Sequence, residues 1–213
     1  PLEKYLPQND EWHTLRADKE LVIPFGIDSN GKVAVLRISS EKPYTMIIGD
    51  PRHGKSKLMH TIIMMATSRY SEDEVKIAVM DLKDGAEFNV YAKAGLRSVE
   101  CVVNDEDPDA MLSFLKYYVA QMHSRQELFE KMEEASFNNV MPEMPRLVLL
   151  IDEFQTLFDG AASSLFMSEL VRKGATYGIH VVLSSQRALS SNPRNGFTAD
   201  LKDYFTSRFV FKC

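Results

Sequence analysis

The chain has 213 residues, 45% of them hydrophobic and 26% charged, with a formal net charge of −5. Such a composition belongs to an ordinary globular domain with one sizeable core, and its acidic balance argues against a protein that coats nucleic acid with a broad basic face. No apolar run reaches the roughly 18 residues of a membrane span, the start PLEKYLPQNDEW has no signal-peptide core, and Cys101 and Cys213 have neither disulfide-framework nor metal-ligand spacing.

Residues 1–20 read as an N-terminal segment and 21–213 as one domain, with the abrupt stop at Cys213 suggesting a cut from a longer protein. In 21–37, LVIPFGIDSNGKVAVLR, two β-rich runs flank Asp28-Ser29-Asn30-Gly31, a hairpin signal. The run 44–48, YTMII, predicts a buried strand, and 56–69 a helix with Leu58, Ile62, Met65 and Ala66 on one face. Strands are expected at 75–80, ending at Asp81, and at 99–103. A long helix is predicted from about 108 to about 134, with Asp107 as N-cap and Pro108 at its first position. Its apolar stripe is Met111, Leu115, Tyr118, Met122, Phe129 and Met132, interrupted by Arg125, which reads as a buried ion-pair partner. Residues 136–145 read as loop, 147–151 (LVLLI) as the most apolar strand, 162–176 as helix and 179–184 as strand. Loop-like 188–199, a short helix and a strand at 208–212 finish the chain. Strands that are continuous apolar runs, alternating with helices, predict a mostly parallel sheet covered on both faces: an α/β domain with an N-terminal hairpin.

Between the strand 44–48 and the helix after it stands GDPRHGKS, residues 49–56, the skeleton Gly-x-x-x-x-Gly-Lys-Ser of a phosphate-binding loop. Strand before and helix after are the context that pattern requires. The helix N-terminus offers free N–H groups to phosphates, Gly54 permits close backbone approach, Lys55 reaches the outer phosphates and Ser56 serves Mg²⁺. Asp152 and Glu153 close the strand 147–151, where one carboxylate completes a magnesium site and its neighbour activates water. Gln186 follows another apolar strand and can position water or sense the terminal phosphate. Asp81 and Lys83 leave a strand at the same edge, either as part of this site or as a polar turn. The five histidines are scattered, and the methionines that fall on apolar faces read as core.

Taken in order, these motifs resemble the motor domain of the FtsK/SpoIIIE family of ATPases. The set comprises the hairpin, the phosphate loop, Asp81-x-Lys83, Glu87-Phe88 with Tyr91, Met122-x-x-Arg125, Asp152-Glu153-Phe154, Gly178-Ile179-His180 leading to Ser185-Gln186-Arg187, and Thr206-Ser207-Arg208-Phe209. The resemblance covers about residues 22–212. It implies a RecA-like P-loop core of the HerA/FtsK superfamily, using ATP and Mg²⁺, with residues 49–57 (Gly49, Asp50, Pro51, Arg52, His53, Gly54, Lys55, Ser56, Lys57) around the nucleotide. It also implies a ring, usually a hexamer, that drives double-stranded DNA or, in a secretion branch, protein through its channel. The domain is expected in the cytoplasm, with any membrane anchor elsewhere in the full-length protein.

Two departures from the family pattern stand out. The family's loop is commonly Gly-x-Thr-Gly-Ser-Gly-Lys-Ser, whereas here the middle is Asp50-Pro51-Arg52-His53, and an aspartate near triphosphate is electrostatically unfavourable. Lys116 stands where the family often has an arginine acting across the subunit boundary; either Lys116 substitutes or another residue such as Arg208 serves. Three functions compete: a DNA translocase with Arg187, Arg194 and Lys202 in its channel, a secretion ATPase with protein cargo, and a nucleotide-binding module with little turnover. The span from Lys55 to Asp152 is long for a AAA+ protein.

Overall fold

The computed structural model describes residues 6–8, 11–83, 87–104, 108–135, 137–140, 144–159, 161–186 and 198–212. The elements are β1 (Glu20–Ile27), β2 (Val33–Ser39), β3 (Tyr44–Ile48), α1 (Lys55–Arg69), β4 (Val75–Asp81), α2 (Asn89–Ala94), β5 (Val99–Asn104), α3 (Pro108–Met132) and α4 (Phe137–Val140). They continue with β6 (Arg146–Asp152), a 3₁₀ turn (Phe154–Asp159), α5 (Ala161–Lys173), a second 3₁₀ turn (Gly174–Tyr177), β7 (Ile179–Ser185), α6 (Ala199–Asp203) and β8 (Ser207–Val210).

Six strands form one parallel sheet in the order β5-β4-β6-β7-β3-β8. Side chains alternate between its faces, so each apolar strand feeds two cores. Tyr44, Met46, Ala78, Met80, Leu147, Leu149, Ile151, Val181 and Leu183 pack with α3 and α5 on one face. Ile47, Ile77, Val79, Val148, Leu150 and Val182 pack with α1 and the hairpin β1–β2 on the other. That is why β3, β4, β6 and β7 read as largely apolar runs and do not alternate between apolar and polar residues.

The hairpin turn is a five-residue loop, 28–32, organised by Asp28, whose Oδ1 accepts the N–H groups of Asn30 at 2.9 Å and Lys32 at 2.8 Å. Other elements shift by a residue or two from expectation, except that α5 ends at Lys173, three residues before the predicted 176, and passes into a 3₁₀ turn. The last strand is shorter than predicted, but the chain beyond it stays attached, with Phe211 N–H donating to Ile48 O at 2.8 Å. α2 and α4 were not foreseen, and α4 falls inside the predicted loop 136–145. Met132 of the α3 stripe is 37% exposed. The proposed cap Asp107 lies outside the described residues, as do Arg187, Arg194 and most of 188–199.

Arg125 corrects an expectation. It is buried, yet it makes no ion pair within 4.0 Å among the described residues; its two terminal nitrogens donate to Tyr177 O and Pro145 O, both at 2.8 Å. Helix and strand ends leave carbonyls unpaired, and a guanidinium can satisfy several at once. Arg146, fully buried at the start of β6, does the same on a larger scale. It donates to the carbonyls of Ala17 (2.6 Å), Asp18 (2.9 Å) and Lys19 (3.0 Å), to Asn138 Oδ1 (2.9 Å) and to His180 Nε2 (3.0 Å). Burial holds both guanidinium pKa values down to about 10, so both stay charged at neutral pH. Burial, with Arg146 beside it, pushes His180 down to about 3, and the neutral ring can therefore accept. Both arginines lie over the Phe137 ring, at 5.6 and 4.8 Å from its centroid.

Glu74 completes the clamp on the N-terminal segment, accepting Ala17 N–H at 2.6 Å and pairing with Arg16 at 3.0 Å. Replacing Arg146 with Met would strand three carbonyls and the Asn138 amide. The expected loss is about 3 kcal/mol, read as a lower urea midpoint, together with faster hydrogen exchange of the Ala17 amide.

Candidate functional site

Parallel register delivers the candidate residues to one edge. Ile48 lies opposite Ser185, Ile151 opposite Leu183, and Asp81 opposite Asp152. The loop 49–54 leaves β3 between β7 and β8, and both neighbours hold it. Gly49 N–H donates to Ser185 O at 3.2 Å, and Asp50 N–H to Lys212 O at 2.9 Å. The chain itself explains both glycines of the motif. A Cβ on Gly49 would sit 2.6 Å from the Phe211 Cβ, closer than any real contact. Gly54, with φ 102°, caps α1 in a conformation open to glycine alone at this cost.

Lys55, the first residue of α1, is buried, and its ammonium spans the loop, donating to Gly49 O at 2.5 Å and Asp50 O at 3.1 Å. In front of the helix lies a cavity of about 160 Å³ lined by Arg52, Gly54, Lys55, Ser56, Lys57, Lys83, Glu87, Asp152 and Glu153. That volume is below the roughly 300–1,000 Å³ that encloses a whole organic ligand; it suits the phosphate end of a nucleotide. Four cationic residues line it against three carboxylates. Asp50, Pro51, His53 and Gln186 do not line it, and the His53 ring turns away to bond Pro51 O at 3.0 Å. The expected penalty from Asp50 is therefore smaller than its place in the motif suggests.

Asp152 and Glu153 are both buried. Asp152 Oδ1 accepts the Glu153 N–H at 3.0 Å. Glu153 has φ 51°, the left-handed region that costs a non-glycine residue about 1–2 kcal/mol. Its carboxylate is fixed by Gln155 Nε2 at 2.6 Å and by the Gln186 N–H at 3.3 Å. Gln186 thus reaches the site through its backbone. Glu87 also reaches the cavity, with its Oε1 3.6 Å from His60 Nε2. His60 Nδ1 is in turn 2.7 Å from the Tyr91 hydroxyl. Only the family pattern Glu87-Phe88…Tyr91 signalled this cluster; His60 carried no signal of its own.

Among the described residues no three His, Cys, Asp or Glu gather as a metal site. A P-loop magnesium site needs less: one hydroxyl, carboxylates acting through water, and phosphate oxygens. Ser56 and Asp152 line the same cavity and fit that donor set. The other candidates lie elsewhere. Lys116 is exposed on α3, Lys202 is half-buried on α6, and Arg208 on β8 donates to Phe205 O at 2.9 Å and Lys202 O at 3.0 Å. None of them lines the cavity.

Burial raises the pKa of both Asp81 and Asp152; the Asp152 charge adds to the rise at Asp81 and the Glu153 charge to the rise at Asp152, while the Lys83 amide (3.2 Å) partly relieves Asp81, and the Ser184 hydroxyl, Glu153 amide and Lys55 partly relieve Asp152. A carboxyl whose folded pKa is raised favours the folded state most at low pH, and loses that contribution as pH rises through the folded value. Asp81→Asn should therefore raise the melting temperature of nucleotide-free protein at pH 7. The gain should shrink as pH falls toward 4, a trend read directly from melting curves.

The FtsK/SpoIIIE family model matches residues 7–194. The ESX secretion system protein EccC of Thermomonospora curvata is 26% identical over 194 residues, which cover 83% of this chain and 15% of that protein. The type VII secretion system protein EssC of Staphylococcus aureus is 25% identical over 192 residues, covering 84% and 13%. This chain thus spans about one seventh of the length of these relatives. Among solved structures, T. curvata EccC (ATPases 2 and 3) in complex with a signal sequence peptide superposes with a TM-score of 0.78 at 20% identity, over 99% of this chain and 40% of that one. The shared fold is the RecA-like P-loop core. With the family model spanning most of the domain and the loop, strands and acidic pair in their expected order, the chain belongs to the FtsK/SpoIIIE family of P-loop ATPases.

Proposed function

We propose that this domain binds ATP with Mg²⁺ at residues 49–57, hydrolyses it, and applies the work to a protein cargo in a secretion machine. The observation that carries the chemistry is the single cavity joining Lys55 and Ser56 to Asp152 and Glu153. Lys55, now bonded to two loop carbonyls, exchanges them for phosphate oxygens. Ser56 and Asp152 would hold the magnesium ion, which would supply positive charge to offset that of the phosphates. Glu153 takes the proton of the attacking water, held in place by Gln155 and the Gln186 amide. The Gln186 side chain reports the terminal phosphate. Gly49, Asp50, Pro51 and His53 shape the loop, and Lys57 adds charge at its mouth.

The cargo assignment is supported by the two secretion-system relatives, each similar over more than four-fifths of the chain. It is also supported by the net charge of −5. In this reading the domain works in the cytoplasm within a longer, ring-forming protein, and Lys116 or Arg208 acts on a neighbour's nucleotide. A second reading, a motor for double-stranded DNA with Arg187, Arg194 and Lys202 in its channel, is supported by what most of the family moves.

Lys55→Ala is expected to abolish nucleotide binding. Glu153→Gln is expected to keep binding and slow turnover about 10²–10⁴-fold, measured as phosphate release beside equilibrium binding. A wild type no faster than Glu153→Gln would make the domain a nucleotide switch. In the assembled protein, a secreted helical substrate bearing its signal peptide should stimulate hydrolysis, and duplex DNA at low salt should not. The reverse result would establish the DNA motor.

A further inference from the structure

We propose that Arg52 is a catalytic residue of this site, supplying from within the same chain the guanidinium that steadies the terminal phosphate during transfer. This rests on the reading above that the cavity hydrolyses ATP.

Three observations converge on Arg52. Its φ is 66°, so the loop holds a side chain where the backbone favours glycine. For a non-glycine residue that geometry is strained, and such strain concentrates at functional sites. Arg52 also lines the phosphate cavity together with Lys55, Ser56 and Glu153. Finally, Arg52 is exposed and makes no ion pair within 4.0 Å among the described residues, whereas Lys55 is already bonded to Gly49 and Asp50 and Arg208 to Phe205 and Lys202. Two left-handed residues, Arg52 and Glu153, thus line the same small cavity, one bearing the charge that a phosphoryl group attracts and the other the base that water needs.

The chemistry assigns them separate tasks. The water oxygen forms a bond to the terminal phosphorus as the bond from that phosphorus to the bridging oxygen breaks. The bridging oxygen keeps the electron pair and leaves on ADP, and the water proton passes to Glu153. Arg52 exchanges no proton. Its planar fork spans two phosphoryl oxygens, where charge shifts as the bonds change, a geometry that lysine cannot reproduce. A strained but idle surface turn would behave differently, because removing the side chain would then release strain at no cost to turnover.

Arg52→Gly and Arg52→Lys in the full chain separate these cases through urea midpoint, affinity for a non-hydrolysable ATP analogue with Mg²⁺, kcat and KM. Arg52→Gly should be more stable than wild type yet lose about 10²-fold in kcat, with analogue affinity changed less than threefold. Arg52→Lys should keep the wild-type midpoint and an intermediate kcat. An Arg52→Gly protein with undiminished kcat overturns the proposal, as does one that loses analogue affinity while kcat holds, which would make Arg52 a ground-state contact. If wild type binds analogue but turns over no faster than Glu153→Gln, the catalytic role falls and the binding site stands. If wild type binds no analogue, the site assignment itself falls.

Discussion

In a parallel sheet every strand releases its last residue at the same edge, and the rest of this molecule depends on that constraint. Among the described residues no hydrogen bond joins the phosphate loop directly to Asp152. β7 stands between their strands and bonds to both, so the loop and the acidic pair are placed by backbone register. A slip of one residue in either pairing would turn the strand's side chains to the opposite face and exchange the two cores. Both cores are apolar and well filled, which makes such a slip expensive and the site geometry correspondingly firm. The rigidity of the site is therefore supplied by Leu, Ile, Val and Met residues that never meet a nucleotide.

The charges at that edge are arranged in opposition. Asp81 and Asp152 sit side by side, buried, on neighbouring strands. Lys55 folds over loop carbonyls a short distance away, and the remaining cations line the cavity mouth. The carboxylates repel each other and the ammonium bonds backbone oxygens. A divalent cation and a polyphosphate would relieve both at once, one by pairing with the acids and the other by replacing the carbonyls.

Much of this was legible in the residues. β3 falls on 44–48 as expected, and β4, β6 and β7 fall within a residue of their predicted ends, because a largely apolar run bounded by polar residues has few alternatives to a doubly covered strand. The loop was legible from spacing and context together. What escaped was what backbone conformation and backbone acceptors decide. Arg146 precedes the predicted strand 147–151 and drew no attention in the sequence; its partners include carbonyls of residues 17–19, and a carbonyl leaves no mark in a sequence. Arg125 was expected to find a carboxylate for the same reason. The left-handed φ of Arg52 has no sign in the residue itself; only the glycine that the family's loop carries at that place pointed to it. Gln186 was noticed for its side chain, while its amide makes the contact to Glu153.

The attachment of Phe211 and Lys212 to β3 and the loop gives the sheet edge a second meaning. The Asp50 amide is engaged by Lys212, and the Phe211 ring lies against Gly54. β8 and the loop therefore form one cooperative unit: fraying of the short edge strand frees an amide and unpacks a glycine in the same event. The free energy of opening that edge is then a floor beneath the order of the loop, and nucleotide that orders the loop must, by linkage, tighten the edge strand as well.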